Sequence, residues 1–459
     1  MSNWSFDLTP RNVPTVHTSW RQITTQIPVP ESLPMFRVLE ECESTSMHGQ
    51  MPIIWDQAEG CQVRDPWGNV WIDFTSTIFV ANAGHGNPEI CKAIQACINK
   101  PLLHSYSYAT LERINFLQAL TNAAPSGLDK AFLLSAGTEA TECALKLMRL
   151  NGQRKGKRRL GIVCFEGNWH GRTLGAQMMS YNPAQKEWIG YIDPNIFHLP
   201  FPYEWRELGD PEEYFKKSFT AMCEREGLDP EQDICGFMLE TFQGWAAAFY
   251  PEAYVKAVRE TANKISALLT FDEMQSGFGR TGKLFGFEHY GVDADMICCG
   301  KGISSSMPLS AVIGKSAVMD LPDIGSMSST HSANPLACAA CHANLKYIIE
   351  NKLPDRSAKL GEYMHKRLRA LMKQYPDVIS NILGKGLLAG VHFNTPERKP
   401  LSKLASRICE KAMQKGLILV HTGRESIKIG PPLTIPQSAL EEGLDVFEES
   451  TREAIAELQ

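Results

Sequence analysis

The chain has 459 residues, of which 43% are hydrophobic and 21% charged, with a formal net charge of −5. That length exceeds one ordinary hydrophobic core, so two or more domains are expected. The mild acidity argues against a nucleic-acid or anionic-membrane partner, and no apolar run is long enough to span a bilayer. The polar start MSNWSFDLTP lacks the apolar stretch of a secretion signal, and 13 irregularly spaced cysteines read as reduced thiols, so a cytoplasmic protein is expected.

Residues 1–84 read as an N-terminal arm and part of a small domain. A Pro-, Ser- and Thr-rich arm carries one short helix near 33–43, and the run CQVRDPWGNVWIDF places a turn at 65–68 between two β-like stretches. Residues 85–340 alternate helix and strand. Short apolar runs at 160–165, 234–240, 267–273 and 294–300 read as strands, with helices such as 138–150 and 251–266 between them. Strands with no polar alternation belong to a sheet buried on both faces, so an α/β large domain with a mostly parallel sheet flanked by helices is expected. A long helix follows Asn334 to about residue 352. Residues 341–459 read as a C-terminal small α+β domain ending in two helices.

Ligands of such sheets collect where the strands end. Glu240, Asp272 and Lys301 follow three of the predicted strands, a fourth leads into Trp169-His170-Gly171-Arg172, and Ser135-Ala136-Gly137-Thr138-Glu139 opens a helix. Singly, each has an ordinary explanation. A lysine after a strand is usually solvated, an aspartate there usually caps a turn, and the Ser135–Glu139 run can be only a helix start. Together they suit one cofactor, pyridoxal 5'-phosphate. Gly137 and Thr138 offer helix N-terminal N–H groups to a phosphate. Trp169 can stack on a ring, and Asp272 can keep a pyridine nitrogen protonated. Lys301, between Gly300 and Gly302, is an amine whose lone pair burial would free.

These stretches resemble the class III, fold type I pyridoxal-phosphate aminotransferases, the group that includes 4-aminobutyrate, ornithine and ω-amino acid aminotransferases. The resemblance runs from about residue 60 to 447 through NAGHGNPEI, SAGTEATECALKLMR, NWHGRT, LETFQG, FDEMQSGFGRTG, CCGKG, STHSANPLACAA and GPPLTI. It implies that Lys301 forms the Schiff base and moves the proton, and that Asp272 pairs with the pyridine nitrogen. Gly137, Thr138, Trp169, His170, Glu240 and Gln275 would surround the cofactor, Gln275 reaching the ring hydroxyl. Thr330 would reach the phosphate of a neighbouring subunit, making a homodimer with shared active sites, alone or paired into a tetramer. Ile78, Arg172 and Lys428 would contact substrate: an amine donor, often an ω-amino compound, and a keto-acid acceptor.

Two positions depart from the pattern. Thr241 stands where the family often has Pro after the strand-end glutamate. Lys428 precedes GPPLTI where many members have an arginine that grips the acceptor's carboxylate. Lysine cannot make that planar two-bond clasp, so the acceptor stays open between 2-oxoglutarate, pyruvate and another keto compound; Arg424 is a candidate substitute, and pairing of Lys428 with Glu240 an alternative.

Three further features have plainer readings. Residues 277–283 spell G-x-x-x-x-G-K, but Leu284 follows where a phosphate loop needs Ser or Thr. The basic run 154–159 reads as a solvated loop, and Cys338 and Cys341 as part of a buried helix. The reading is therefore a transaminase. A racemase, decarboxylase or phospho-lyase using the same lysine is the alternative within the fold, and a non-catalytic regulatory protein the remote one.

Overall fold

The computed structural model describes residues 4–206 and 208–457. Residues 1–3 of the expected arm and residues 458–459 at the end of the expected small domain lie outside that description. The chain divides into two compact units, Pro88–Gly244 with Ala248–Pro354, and Met1–Asn87 with Trp245–Ala247 and Asp355–Gln459.

The first of these units holds a seven-stranded sheet. Its spatial order is Lys130–Leu134, Ser310–Gly314, Met296–Cys299, Leu268–Asp272, Ile234–Glu240, Gly161–Phe165 and Ile196–Leu199. Ser310–Gly314 runs antiparallel to both its neighbours, while the strands from Met296–Cys299 to Ile196–Leu199 pair in parallel. Both faces are covered. Ile162, Cys164, Met238 and Cys298 join one buried cluster with Leu145, Leu147 and Met148 of the helix Gly137–Arg154. The alternate residues Phe165 and Phe237 instead meet Phe215, Phe219 and Tyr254 from the helices Pro211–Glu226 and Glu252–Lys264. Gly236 lets the first helix come close, since a Cβ there would lie 2.3 Å from Met148 Sδ.

The sheet is mixed and helix-covered, as expected, but three of its strands were not among the four anticipated. The expected boundary at residue 340 falls inside the helix Pro335–Glu350. That helix packs on Pro88–Ile98 and Leu111–Ala123, and the unit continues to Pro354. The basic run 154–159 is largely exposed and follows a helix end, as expected, and some of its cations reach neighbouring elements. Arg158 pairs with Asp233 at 3.1 Å, Lys157 Nζ donates to the Glu231 carbonyl at 2.6 Å, and Arg159 donates to Asn195 and to the Glu226 carbonyl, each at 3.1 Å.

The other unit is assembled from both ends of the chain. Leu417–Ile418 pairs in parallel with Val70–Asp73, and Trp71 Nε1 donates to the Met413 carbonyl at 2.8 Å. Ile23, Val63, Trp71, Met413 and Ile418 form its core beside that pairing. A second sheet orders Ile379–Leu383, Ala389–Phe393, Ser426–Ile429 and Val420–His421. One helix, Gln437–Ala456, closes the described chain where two were expected. The residues before it form the strand Ser426–Ile429 and the turn that follows.

Candidate active site

Strand register brings the site together. Asp272 is level with Glu240 on one side and with Cys298 on the other, so Lys301 emerges just past the same sheet edge. Asp272 is buried, and each of its oxygens is occupied: Oδ1 accepts from the Met274 N–H at 3.0 Å, and Oδ2 lies 2.9 Å from His170 Nδ1. Where the Asp272 oxygen accepts, Nδ1 is the donor of this pair. Nε2 is buried and has no hydrogen-bond partner among the described residues. His170 is fixed in turn, its N–H donating to Ser180 Oγ and its carbonyl accepting from Thr141 Oγ1, both at 2.7 Å.

Lys301 sits at a left-handed backbone position, φ +46°. Burial of its amine pushes its pKa below the ordinary lysine value of 10.5, against the opposing pull of Asp272 and Glu240. That attraction places both carboxylates in electrostatic reach of the amine. Glu240 accepts from the Trp169 N–H at 2.9 Å, the Gly244 N–H at 3.1 Å and Gln275 Nε2 at 3.5 Å. Trp169 is partly exposed, and the Arg172 guanidinium lies 4.7 Å from its ring centroid. Arg172 therefore supports that ring by a cation–π contact.

Gly137 and Thr138 open an 18-residue helix, in the first turn where a helix has no acceptor of its own for N–H groups. Glu139, three residues after Ala136, caps the start of this helix. Glu139 Oε2 accepts from the N–H groups of Ser135 and Ala136 at 2.8 and 2.9 Å. Glu142 reaches away, accepting from Thr173 Oγ1 at 2.7 Å and from the N–H groups of Gly175 and Ala176 at 2.8 and 3.0 Å. It caps the helix Leu174–Met179, which follows the Trp169–Arg172 segment. Thr138 Oγ1 bonds Thr173 Oγ1, so the two loops are tied. Gly171, φ +141°, is required between them, because a Cβ there would lie 2.3 Å from Thr138 Oγ1.

A buried acid–histidine pair, an amine of lowered pKa and a helix N-terminus are the three groups that pyridoxal phosphate needs, and the residues present fit it. The other predicted site residues stand as follows. Thr330 is exposed, its carbonyl 2.8 Å from His104 Nε2. In the other unit, the Lys428 ammonium lies 4.9 Å from the Phe79 ring centroid and the Arg424 guanidinium 3.6 Å from that of Trp245. Ile78 is 44% exposed and belongs to a turn, Ser76–Phe79, whose four residues all have positive φ (48°, 52°, 61° and 66°). A left-handed turn of L-residues costs roughly 1–2 kcal/mol per residue. It is held by Ser76 Oγ donating to the Gly430 carbonyl at 2.7 Å and by the Phe79 ring, which would lie 2.1 Å from a Cβ on Gly430.

Sequence reasoning missed Glu273. It is fully buried and accepts from Ser276 Oγ at 2.8 Å, from the N–H groups of Gly286 and Phe287 at 2.7 Å each, and from Thr241 Oγ1. Burial pushes its carboxyl above the ordinary range while those four donors pull it back. Thr241, noted for replacing proline, thus supplies a hydroxyl to this hub.

The 277–283 loop leads to a 3-10 turn, Gly286–Tyr290, rather than an α-helix. Cys338 and Cys341 are buried, and burial pushes the Cys338 thiol up to about 12. Among the described residues no cluster of His, Cys, Asp or Glu could hold a metal, and no helix is long and apolar enough to cross a membrane.

An alanine/serine racemase from Pyrococcus horikoshii is 28% identical over 98% of this chain and 96% of its own length. A mitochondrial ornithine aminotransferase from Arabidopsis thaliana is 32% identical over 91% of this chain and 85% of its own. Among solved structures, a Bacillus anthracis aminotransferase superposes with a TM-score of 0.83 at 26% identity, covering 92% of this chain and 99% of that one. A transaminase from the marine bacterium Virgibacillus shares the fold, with a TM-score of 0.84 over 93% of this chain and 100% of its own. The family described as Aminotransferase class-III matches residues 44–450, and the chain belongs to that family of pyridoxal-phosphate enzymes.

Proposed function

We propose that this chain moves an amino group from a primary amine or amino acid to a keto acid, with Lys301 as the proton-moving amine and Asp272 as the partner of the cofactor's ring nitrogen. One observation carries the reading: strand register and electrostatics bring a buried Asp272–His170 pair and an amine of lowered pKa to one sheet edge. When bound, pyridoxal phosphate supplies an electron sink that acidifies the carbon bearing the amine. Asp272, oriented by His170, would keep the ring nitrogen protonated; at about 4 Å and an effective dielectric near 20 such a pair gains about 4 kcal/mol gross. Gly137 and Thr138 would hold the phosphate, with Thr330 of a second subunit. Trp169, backed by Arg172, would stack on one face, and Gln275, held by Glu240, would reach the ring hydroxyl. Lys301 can accept and return a proton because burial loosens its hold on one. Ile78 and Lys428 would face substrate. The working unit is a cytoplasmic homodimer.

The test is spectroscopic. Purified protein given pyridoxal phosphate should show the visible band of a lysine-bound cofactor, and Lys301→Ala should not. Amine should bleach the band and a keto acid restore it. No band in the unaltered protein ends the proposal. A second reading, racemisation, draws on the similarity to the racemase over 98% of the chain; inversion of an amino acid without any keto acid would select it.

A further inference from the structure

Among the described residues, the buried face of the helix Pro335–Glu350 is apolar, with Ala340, Cys341, Leu345 and Ile348 along it, except for one amide. That amide is Asn344, which is 0% exposed. A polar side chain so placed is informative, because burial is tolerated only when its hydrogen bonds are made. Its Nδ2 donates to the carbonyls of Gly302 and Ile303 at 2.8 and 2.9 Å, and its Oδ1 accepts from Ser305 Oγ at 2.7 Å. Both amide hydrogens and the oxygen are thus committed to the turn that begins at Lys301. We infer that Asn344 is a positioning residue for Lys301: it clamps residues 302–305 and so holds the amine at the sheet edge in the orientation it needs to react. The inference rests on Lys301 as the reactive amine and adds the group that aims it.

Two observations call for a clamp. The first is backbone conformation. Lys301 and Ser305 have φ of +46° and +53°, a region that residues with a Cβ disfavour. Neither is glycine, and such strain persists only where the surroundings over-determine it. Bonds inside the turn move with it if it relaxes: Ser304 Oγ donates to the Met307 carbonyl at 2.6 Å, and the Ser306 N–H donates to Ser304 Oγ at 3.1 Å. Asn344 acts from outside, on a helix packed against two others, and ties the turn to the fold.

The second is the main chain's own demand for partners. Gly302 and Ile303 are buried past the end of the strand Met296–Cys299, in the single 3-10 turn Lys301–Ile303. Buried carbonyls outside regular structure need donors from elsewhere, and one side chain serves both. The clamp therefore bears on the residues next to the lysine rather than on the lysine's own side chain.

Reaction requires the Lys301 nitrogen to add to an aldehyde carbon, whose oxygen leaves as water. Such a step is fast only while the amine is held in place, and a small displacement costs on the order of ten- to a hundred-fold. With the clamp removed, Ser305 can return to negative φ and carry Lys301, in the same turn, with it. The amine then gains water and loses part of the burial that lowers its pKa against the pull of Asp272 and Glu240.

The experiment compares two forms of the cofactor on the full-length protein. Pyridoxal phosphate reports Lys301 through growth of the visible band. Pyridoxine phosphate, with an alcohol in place of the aldehyde, reports binding that needs no amine. Asn344→Leu should slow band growth about ten-fold. The pH midpoint of that growth should move up toward the ordinary lysine value of 10.5. Calorimetric affinity for pyridoxine phosphate should stay within about two-fold. Adding Ser305→Gly to Asn344→Leu should recover most of the rate, because glycine adopts φ +53° without being held there. If Asn344→Leu does not fold, Ser305→Ala decides: it removes one bond of the clamp and should slow band growth about three-fold with pyridoxine phosphate unaffected. Band growth at the unaltered rate in the variant that folds, an equal loss for both cofactor forms, or no recovery with glycine overturns the positioning role; a normal band in the unaltered protein would then leave Lys301 standing as the reactive amine. No band in the unaltered protein removes both.

Discussion

Removing the buried carboxylate of Glu273 should unlock the loops around the sheet edge. Its oxygens accept from two backbone N–H groups, at Gly286 and Phe287, and from the hydroxyls of Ser276 and Thr241. In Glu273→Ala the hydroxyls can turn to other acceptors, but the two N–H groups cannot. At about 1–3 kcal/mol for each buried donor left unsatisfied, the loss is roughly 2–6 kcal/mol. Glu273→Gln keeps the shape and one accepting oxygen, so it should cost about half as much. The assay is urea unfolding followed by tryptophan fluorescence, comparing midpoints because a two-unit chain need not unfold in one step. Asp272 is the adjacent residue, so cofactor affinity should fall in the same order. Alanine and glutamine variants with the midpoint of the unaltered protein would refute the hub, and equal losses in both would show that volume rather than hydrogen bonding sets the effect.

Gly137 and Gly300 both lie against one sulfur, with an added Cβ 2.9 and 2.4 Å from Met274 Sδ. Gly300→Ala should therefore cost about 1–3 kcal/mol by overpacking, and adding Met274→Ala should recover part of it, which a double-mutant cycle in urea will measure. Because the folded-state pKa of Lys301 is lowered, the unfolded chain holds that proton more tightly, and the native state gains stability as pH rises toward 10.5. Lys301→Met should accordingly be the more stable protein near neutral pH, with the advantage shrinking as pH rises toward the ordinary lysine value; thermal melts across that range that stay parallel contradict the lowered pKa. Lys428→Arg should strengthen a dicarboxylate acceptor's binding about ten-fold if that side chain meets it, because the fork clasps a carboxylate and still stacks on Phe79. An unchanged KM for 2-oxoglutarate removes Lys428 from acceptor recognition.

Much of this molecule could be read in its sequence where a local pattern carried the signal. The run ICGFMLE forms the strand Ile234–Glu240 as expected, and the groups that strands deliver, Glu240, Asp272 and Lys301, meet at one edge because parallel register aligns strand ends. What escaped depends on chain-distant partners. SAVIG at 310–314 is an apolar run whose direction nothing local specifies, yet it is the strand that runs against its neighbours. Glu142 lies in the second turn of its own helix, but a second helix N-terminus 33 residues away captures it. Glu273 looked like the second half of an Asp-Glu pair until loops from 241 and 286–287 closed on it. Arg424 looked available for substrate, and a tryptophan remote in sequence lies against its face.

The left-handed turn at Ser76–Phe79 complicates any attempt to redesign donor choice through position 78. Isoleucine is among the residues least suited to φ +61°, so glycine or asparagine there would relax the main chain whatever they did to the ligand. A library screened at that site by yield of active enzyme would reward easier winding of the backbone and better fit alike. Only measuring melting temperature and donor preference on the same clones separates the two.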